Sequence, residues 1–311
     1  MKIKLELPSS ILEAGIPDPW VARIHNICLK SKSISLYFDL YKTLANKKKQ
    51  IVSPIVFQKL ISKDEVEEGV AYFKNQKCFY GHVPKYATES GSYDENTNQP
   101  YLSYRTATSL LCPNIHKVMF NRAVLDYVKD AIGESFQIYS VNTFWTMPNA
   151  IKHLTHSFHR DEDGFNVLTL FLSWTPTSIG DGHFEYIDGT CDFEFIKKMC
   201  KDCGISIDQY YNVNKSCTNG YTQNFFYENI FGSAIKKMHS EPGTATLLDT
   251  WGIHRGSEVM KPRLVTWIRY ASSKNTSYYF DRNILSGEEM VAVRKEQIYH
   301  NYGGHLRFLV P

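Results

Sequence analysis

Between positions 136 and 270 the chain carries five short runs of β-branched and aromatic residues, each stopped by proline, glycine or a polar turn. That punctuation constrains the fold more than any other feature. Phe136–Trp145 (FQIYSVNTFW) ends before Met147-Pro148, Phe165–Trp174 (FNVLTLFLSW) ends at Thr175-Pro176, and Gly182–Ile187 (GHFEYI) is closed by Asp188-Gly189. Ala245–Asp249 (ATLLD) and Arg263–Tyr270 (RLVTWIRY) follow. Runs of this length and composition are strands. Several of them separated by turns predict a sandwich, a jelly roll or a small barrel. The polar, cysteine-bearing and partly helical stretch 191–241 interrupts the series and reads as an insertion between barrel strands.

The remainder supplies helices. Ser62–Asn75 opens with Ser62 and has Glu65 three residues later, the spacing of a capping box. Ser31–Ala45, Pro113–Gly133 and Gly287–Tyr299 carry helical patterning, while Ser90–Pro100 (SGSYDENTNQP) is a polar loop with nothing to bury. The expectation is one domain over 1–311. It divides into a mixed helical region 1–134, a jelly-roll core 135–275 with the insertion 191–241, and a C-terminal helix and tail 276–311. The class is α+β with a mainly β core.

Composition excludes several roles. With 35 basic and 32 acidic residues the net charge is +3, too even for an obligate nucleic-acid binder. The most apolar stretch, VLTLFLSW, is strand length rather than membrane-spanning length. The start shows no secretory h-region, and seven cysteines, an odd number, suit reduced thiols. A cytoplasmic location without nucleic-acid or membrane partners is expected.

The residues with most chemical content are His159-Arg160-Asp161 and the distant His254. In extended chain, residues i and i+2 project to one face. His159 and Asp161 can therefore hold one metal ion together, and His254 from another strand completes two histidines and a carboxylate. That set, with positions left open, suits non-haem Fe(II). An H-x-D by itself is a weak signal, and a lone histidine is as often a core or surface residue. Nine residues after His254, Arg263 opens a strand. A guanidinium there can grip a carboxylate bidentately, such as the far end of a 2-oxo-diacid, or it can be an ordinary strand-end arginine.

Taken together, 142–190 (NTFWTMPN…HSFHRDEDGFNVLTLFLSWTPTSIGDGHFEYIDGT) and 243–270 (GTATLLDTWGIHRGSEVMKPRLVTWIRY) resemble the phytanoyl-CoA dioxygenase-like family, Fe(II)- and 2-oxoglutarate-dependent oxygenases on a double-stranded β-helix. The resemblance covers somewhat under half the chain. It implies that His159, Asp161 and His254 are iron ligands and that Arg263 binds the distal carboxylate of 2-oxoglutarate. It also implies O2 as co-substrate, with a small or carrier-bound molecule as substrate. Relatives often carry a glutamine three residues before the first ligand, contacting 2-oxoglutarate; this chain has His156, which either takes that role or faces solvent. A Gly-Ser-His end common in the family is Gly189-Thr190-Cys191 here. The presence of Asp161 favours hydroxylation, desaturation or ring formation over halogenation.

Other features have competing readings. Cys191, Cys200, Cys203 and Cys217 can wrap a zinc ion or simply be reduced thiols, since the outer spacings lack a second tight pair. Asp249 either orients a ligating histidine or caps a turn. Arg105, Lys152, Arg160 and Arg255 are expected to be solvated. Of the aromatics Tyr101, Tyr104, Phe144, Trp145, Phe171 and Trp174, most belong to the core and some line a pocket. Two other functions stay open: a non-catalytic jelly-roll module that binds a ligand or metal, and an oxygenase acting on a protein or nucleic acid.

Overall fold

The computed structural model describes residues 53–82, 84, 89–148, 156–161, 167–210, 220–272, 285–296 and 305–306. The expected helix at 31–45, together with Lys152 and Cys217, lies outside them. Among the described residues eleven strands form two antiparallel sheets. The large sheet runs in the order β1 (Ile55–Phe57), β9 (Ala245–Leu248), β6 (Val167–Ser173), β11 (Arg263–Ser272), β5 (Phe136–Thr146), β4 (Tyr101–Ser103), β2 (Cys78–Tyr80) and β3 (Ser90–Gly91). The small sheet is β10 (His254–Gly256), β7 (Phe184–Ile187) and β8 (Ile235–Met238). The two sheets meet through Phe171 of β6 and Phe184 of β7, whose ring centres lie 5.1 Å apart. This is the expected jelly-roll core with flanking helices.

Side-chain alternation divides the large sheet. On β11, Leu264, Ile268 and Tyr270 face helices, as do Leu168, Leu170 and Leu172 of β6 and Trp145 of β5. The covering helices are α1 (Lys63–Lys74), α2 (Thr106–Leu110), α3 (Ile115–Met119) and α4 (Arg122–Ile132). Burying each large apolar side chain here contributes about 1.5–3 kcal/mol. The two indoles buried in this layer are paired: Trp145 Nε1 donates to Tyr104 Oη at 3.1 Å, and Trp174 Nε1 donates to Thr266 Oγ1 at 2.8 Å. Gly69 lets Trp174 close on α1, since a Cβ there would lie 2.1 Å from the indole. The alternate residues Arg263, Val265, Trp267 and Arg269 face the small sheet.

Helix α1 starts as the sequence indicates, with Ser62 and Glu65 exchanging both bonds of the capping box. The single helix expected over 113–133 is two, α3 and α4, because the Asn121 side chain accepts from Ala123 N and Val124 N and starts a new helix. The described part of the N-terminal region, from residue 53, also supplies β1–β4, strands of two or three residues, too short to show a period of two.

The insertion carries α5 (Phe193–Asp202), α6 (Gly220–Phe231) and β8. Ile196, Cys200, Tyr227, Ile230 and Phe231 pack with Phe158, Ile187 and Ile253 into a second core against the small sheet. Helix α7 (Gly287–Lys295) repeats the capping box at Ser286 and Glu289. Among the described residues no helix is long and apolar enough to cross a membrane.

Candidate metal centre

His254 opens β10 and pairs with His159 through two backbone bonds, His159 N to His254 O at 2.9 Å and His254 N to His159 O at 3.0 Å. Paired extended residues hold their side chains on one face, so the two rings lie 4.4 Å apart. Asp161, two residues on, is fixed by its own backbone bond to Thr250 O at 2.9 Å. Alternation along 159–161 thus aims an imidazole and a carboxylate at one point, as the sequence indicates.

Tautomers follow from the partners. Nδ1 of His159 lies 2.8 Å from Ser157 O, and Nδ1 of His254 lies 2.9 Å from Gly252 O. A carbonyl only accepts, so each Nδ1 carries the proton, and in the neutral ring Nε2 presents its lone pair. Both Nε2 atoms face Asp161 Oδ1, at 3.8 Å from His159 and 3.9 Å from His254. Those separations exceed a hydrogen bond. They also exceed the roughly 3 Å edge of a facial ligand set with bonds of about 2.1 Å, so the three side chains would close up to hold one ion. Among the described residues this is the only cluster of three metal-capable side chains.

The charges suit a cation. Burial, with the neighbouring His159 adding to it, pushes the His254 imidazole down to about 4, so the ring is neutral at neutral pH. Burial alone raises the Asp161 carboxyl, but the Arg269 guanidinium, followed by the two histidines, outweighs it and keeps the group below the usual carboxylate range. Arg269 Nη2 donates to Asp161 Oδ2 at 3.1 Å, and the Thr250 hydroxyl also bonds the carboxylate. An ionised carboxylate beside the neutral His254 imidazole, with Nε2 of His159 turned to the same point, fits a divalent metal.

Arg263 sits at the other end of the same face. Its Nη2 donates to Thr146 Oγ1 at 3.3 Å and its Nη1 to Gly182 O, while the buried Nε has no partner. Desolvation brings the guanidinium down to about 10, and among the described residues no carboxylate pairs with it. A desolvated cation without a counter-ion is a site for an anion. Gly182, at φ +77°, allows the approach: a Cβ there would lie 3.2 Å from Arg263 Nη1 and 2.7 Å from Val259. Both Nη atoms lie 3.8 Å from the position a Gly256 Cβ would take, and His156 Cδ2 lies 3.9 Å from it. Gly256 is two residues beyond His254, about 7 Å along the strand. His156 and Arg263 thus both lie against Gly256.

Several expectations are corrected. Asp249 accepts from Trp251 N at 3.0 Å and so caps a turn, and the histidines are oriented by main-chain carbonyls instead. Arg160 is not solvated: it donates to Thr190 O, Trp251 O and Tyr210 Oη and ties the second core to the turn before His254. Arg255 is held by Glu185 and Glu228. Cys191 lies 3.1 Å from Tyr186 Oη, Cys200 is packed in the second core with its thiol raised to about 11 by burial, and Cys203 is exposed. These described thiols form no metal cluster.

Sequence reasoning missed Arg269. Its signal was a charge inside the otherwise buried run RLVTWIRY, at the same parity as Arg263. The aromatics divide by strand face: Trp145, Trp174 and Tyr104 join the helix-side core, whereas Tyr101, Phe144, Phe171 and Trp267 face inward. His82, also missed, lies 4.9–5.1 Å from the rings of Tyr101, Phe144 and Trp267.

No protein-family model matches the sequence, and no curated protein does. Among solved structures, HygX from Streptomyces hygroscopicus with nickel and 2-oxoglutarate bound is 11% identical, over 71% of this chain and 83% of its own, with a TM-score of 0.47. The α-ketoglutarate-dependent epimerase SnoN from nogalamycin biosynthesis is 10% identical, over 75% and 82%, with a TM-score of 0.43. EctD from S. alaskensis with bound Fe is 15% identical, over 71% and 73%, with a TM-score of 0.41. Identities and scores this low carry no function to this chain.

Proposed function

We propose that the protein is an Fe(II)- and 2-oxoglutarate-dependent oxygenase that hydroxylates a small or carrier-bound metabolite, with release of succinate and CO2. The observation that carries this reading is the pairing of two sites on one face. Nε2 of His159, Nε2 of His254 and Oδ1 of Asp161 converge, and the buried Arg263 guanidinium, with which no carboxylate among the described residues pairs, lies against Gly256, two residues beyond His254 on the same strand. A binding module has no need of both.

Iron, when bound, supplies oxygen activation coupled to oxidative decarboxylation of 2-oxoglutarate. The chain's own part is positional. His159 and His254 turn their Nε2 atoms to the metal because the carbonyls of Ser157 and Gly252 hold the Nδ1 protons. Arg263 grips the distal carboxylate of the co-substrate, and His156 flanks the same end. Trp267, Phe171, Phe184 and Phe144 give the inner face an apolar lining that excludes water from the reacting centre.

The test is anaerobic titration of apo-protein with Fe(II) and then 2-oxoglutarate, following the weak visible charge-transfer band of the chelate. A saturable band, absent in His159→Ala, supports the reading and justifies screening metabolites by succinate release. A folded protein without the band supports a non-catalytic jelly roll.

A further inference from the structure

Asp161 divides its two oxygens between different partners. Oδ1 faces both imidazoles, while Oδ2 accepts from Arg269 Nη2 at 3.1 Å. Arg269 is 7% exposed, and its guanidinium carbon lies 4.9 Å from the centre of the Trp267 ring. It projects from the middle of the three central strands of the large sheet, where β11 is paired on both sides. A cation in this place repels an incoming metal ion, so metal affinity alone does not account for it.

We propose that Arg269 is a positioning residue that confines Asp161 to one metal-binding oxygen and so keeps coordination positions open for 2-oxoglutarate and O2. This rests on the iron reading above. A carboxylate can bind a metal through one oxygen or both. Here the second mode requires breaking a charge-assisted bond to a donor anchored on a central strand. Without Arg269, the Thr250 hydroxyl would restrain the carboxylate in place of an ion pair, and Oδ2 would be able to turn onto the metal and take a position that the chelating co-substrate needs. Trp267 limits the swing of the guanidinium and keeps the bond aimed at Oδ2.

The test separates metal binding from co-substrate binding. Fe(II) affinity and 2-oxoglutarate affinity are measured anaerobically for the wild type, Arg269→Gln and Arg269→Lys, and the visible spectrum of the Co(II)-loaded proteins reports coordination. The proposal expects Arg269→Gln to bind metal as tightly as the wild type or more tightly, against the usual loss when an outer partner of a ligand is removed, but 2-oxoglutarate at least about tenfold more weakly, a change of about 1.4 kcal/mol. Arg269→Lys, which keeps the charge, recovers part of that loss. Parallel loss of both affinities, or unchanged 2-oxoglutarate affinity in a folded Arg269→Gln protein, overturns it. Should the variants not fold, X-ray absorption on the Mn(II)-loaded wild type decides: one carboxylate oxygen on the metal is expected, and two overturn the proposal. A wild-type chain that takes up no metal contradicts the iron reading itself, an outcome distinct from either.

Discussion

Two clusters of histidine, carboxylate and arginine lie on opposite faces of the small sheet, and they differ in what they leave unsatisfied. On the outward face, His183 is bonded at both nitrogens, to Ser257 at 2.8 Å and to Glu185 at 3.0 Å. Glu185 in turn accepts from Arg255 Nε at 2.7 Å. On the inward face, His159 and His254 have only their Nδ1 atoms occupied, and their Nε2 atoms face Asp161 across 3.8 and 3.9 Å. The first cluster is a closed network whose groups satisfy one another. The second converges on a point that no side chain among the described residues pairs with. Residue types are nearly the same; the pairing decides which cluster is structural and which can take a ligand.

Variants can break or sharpen that contrast. The largest effect is expected on metal uptake: His159→Ala removes a ligand, so the loss should exceed the roughly hundredfold seen when an outer partner is removed. Equilibrium dialysis against Fe(II) measures it, and the apo-protein melting temperature should change little. Next, Glu185→Gln should cost on the order of 3 kcal/mol of folding stability, because it leaves Arg255 partly buried without its main partner. Urea unfolding checks this, and metal binding should be unaffected. A Glu185 variant that lost metal, or a His159 variant that kept it, would erase the distinction.

Arg263→Gln should weaken 2-oxoglutarate by about 2 kcal/mol, the scale of a charge-assisted pair, while Fe(II) binds as before; anaerobic calorimetry separates the two. The smallest effect is on acid stability. Burial alone raises the Glu185 carboxyl, but His183 and Arg255 outweigh it and lower the group below its usual range. A lowered carboxyl contributes stability that is complete above the unfolded value of about 4.3 and lost as pH falls through the folded value. The wild type should therefore lose stability more steeply than Glu185→Gln below about pH 4.3. Equal slopes would remove Glu185 from the account.

The long strands were legible because β5, β6 and β11 are apolar runs bounded by turn residues. The strands β1 to β4 and β10 were not, since two or three residues carry no period. Of the site, spacing offered His159, Asp161 and His254 only as a weak candidate set, and the family resemblance singled them out together with Arg263; the fold brings the first three within reach of one ion. What orients them could not: Ser157 and Gly252 act through carbonyls, which every residue has. Arg269 was hidden because sequence alone does not tell a strand-end arginine from one facing inward, and its parity with Arg263 acquires meaning only once the face of β11 is known.

The most direct measurement is a crystal structure of the protein loaded with Mn(II), located by anomalous scattering. The account predicts one ion bound by His159 Nε2, His254 Nε2 and a single oxygen of Asp161, with Arg269 still on Oδ2. An ion bound instead at His183 and Glu185, or none at saturating Mn(II), would contradict it.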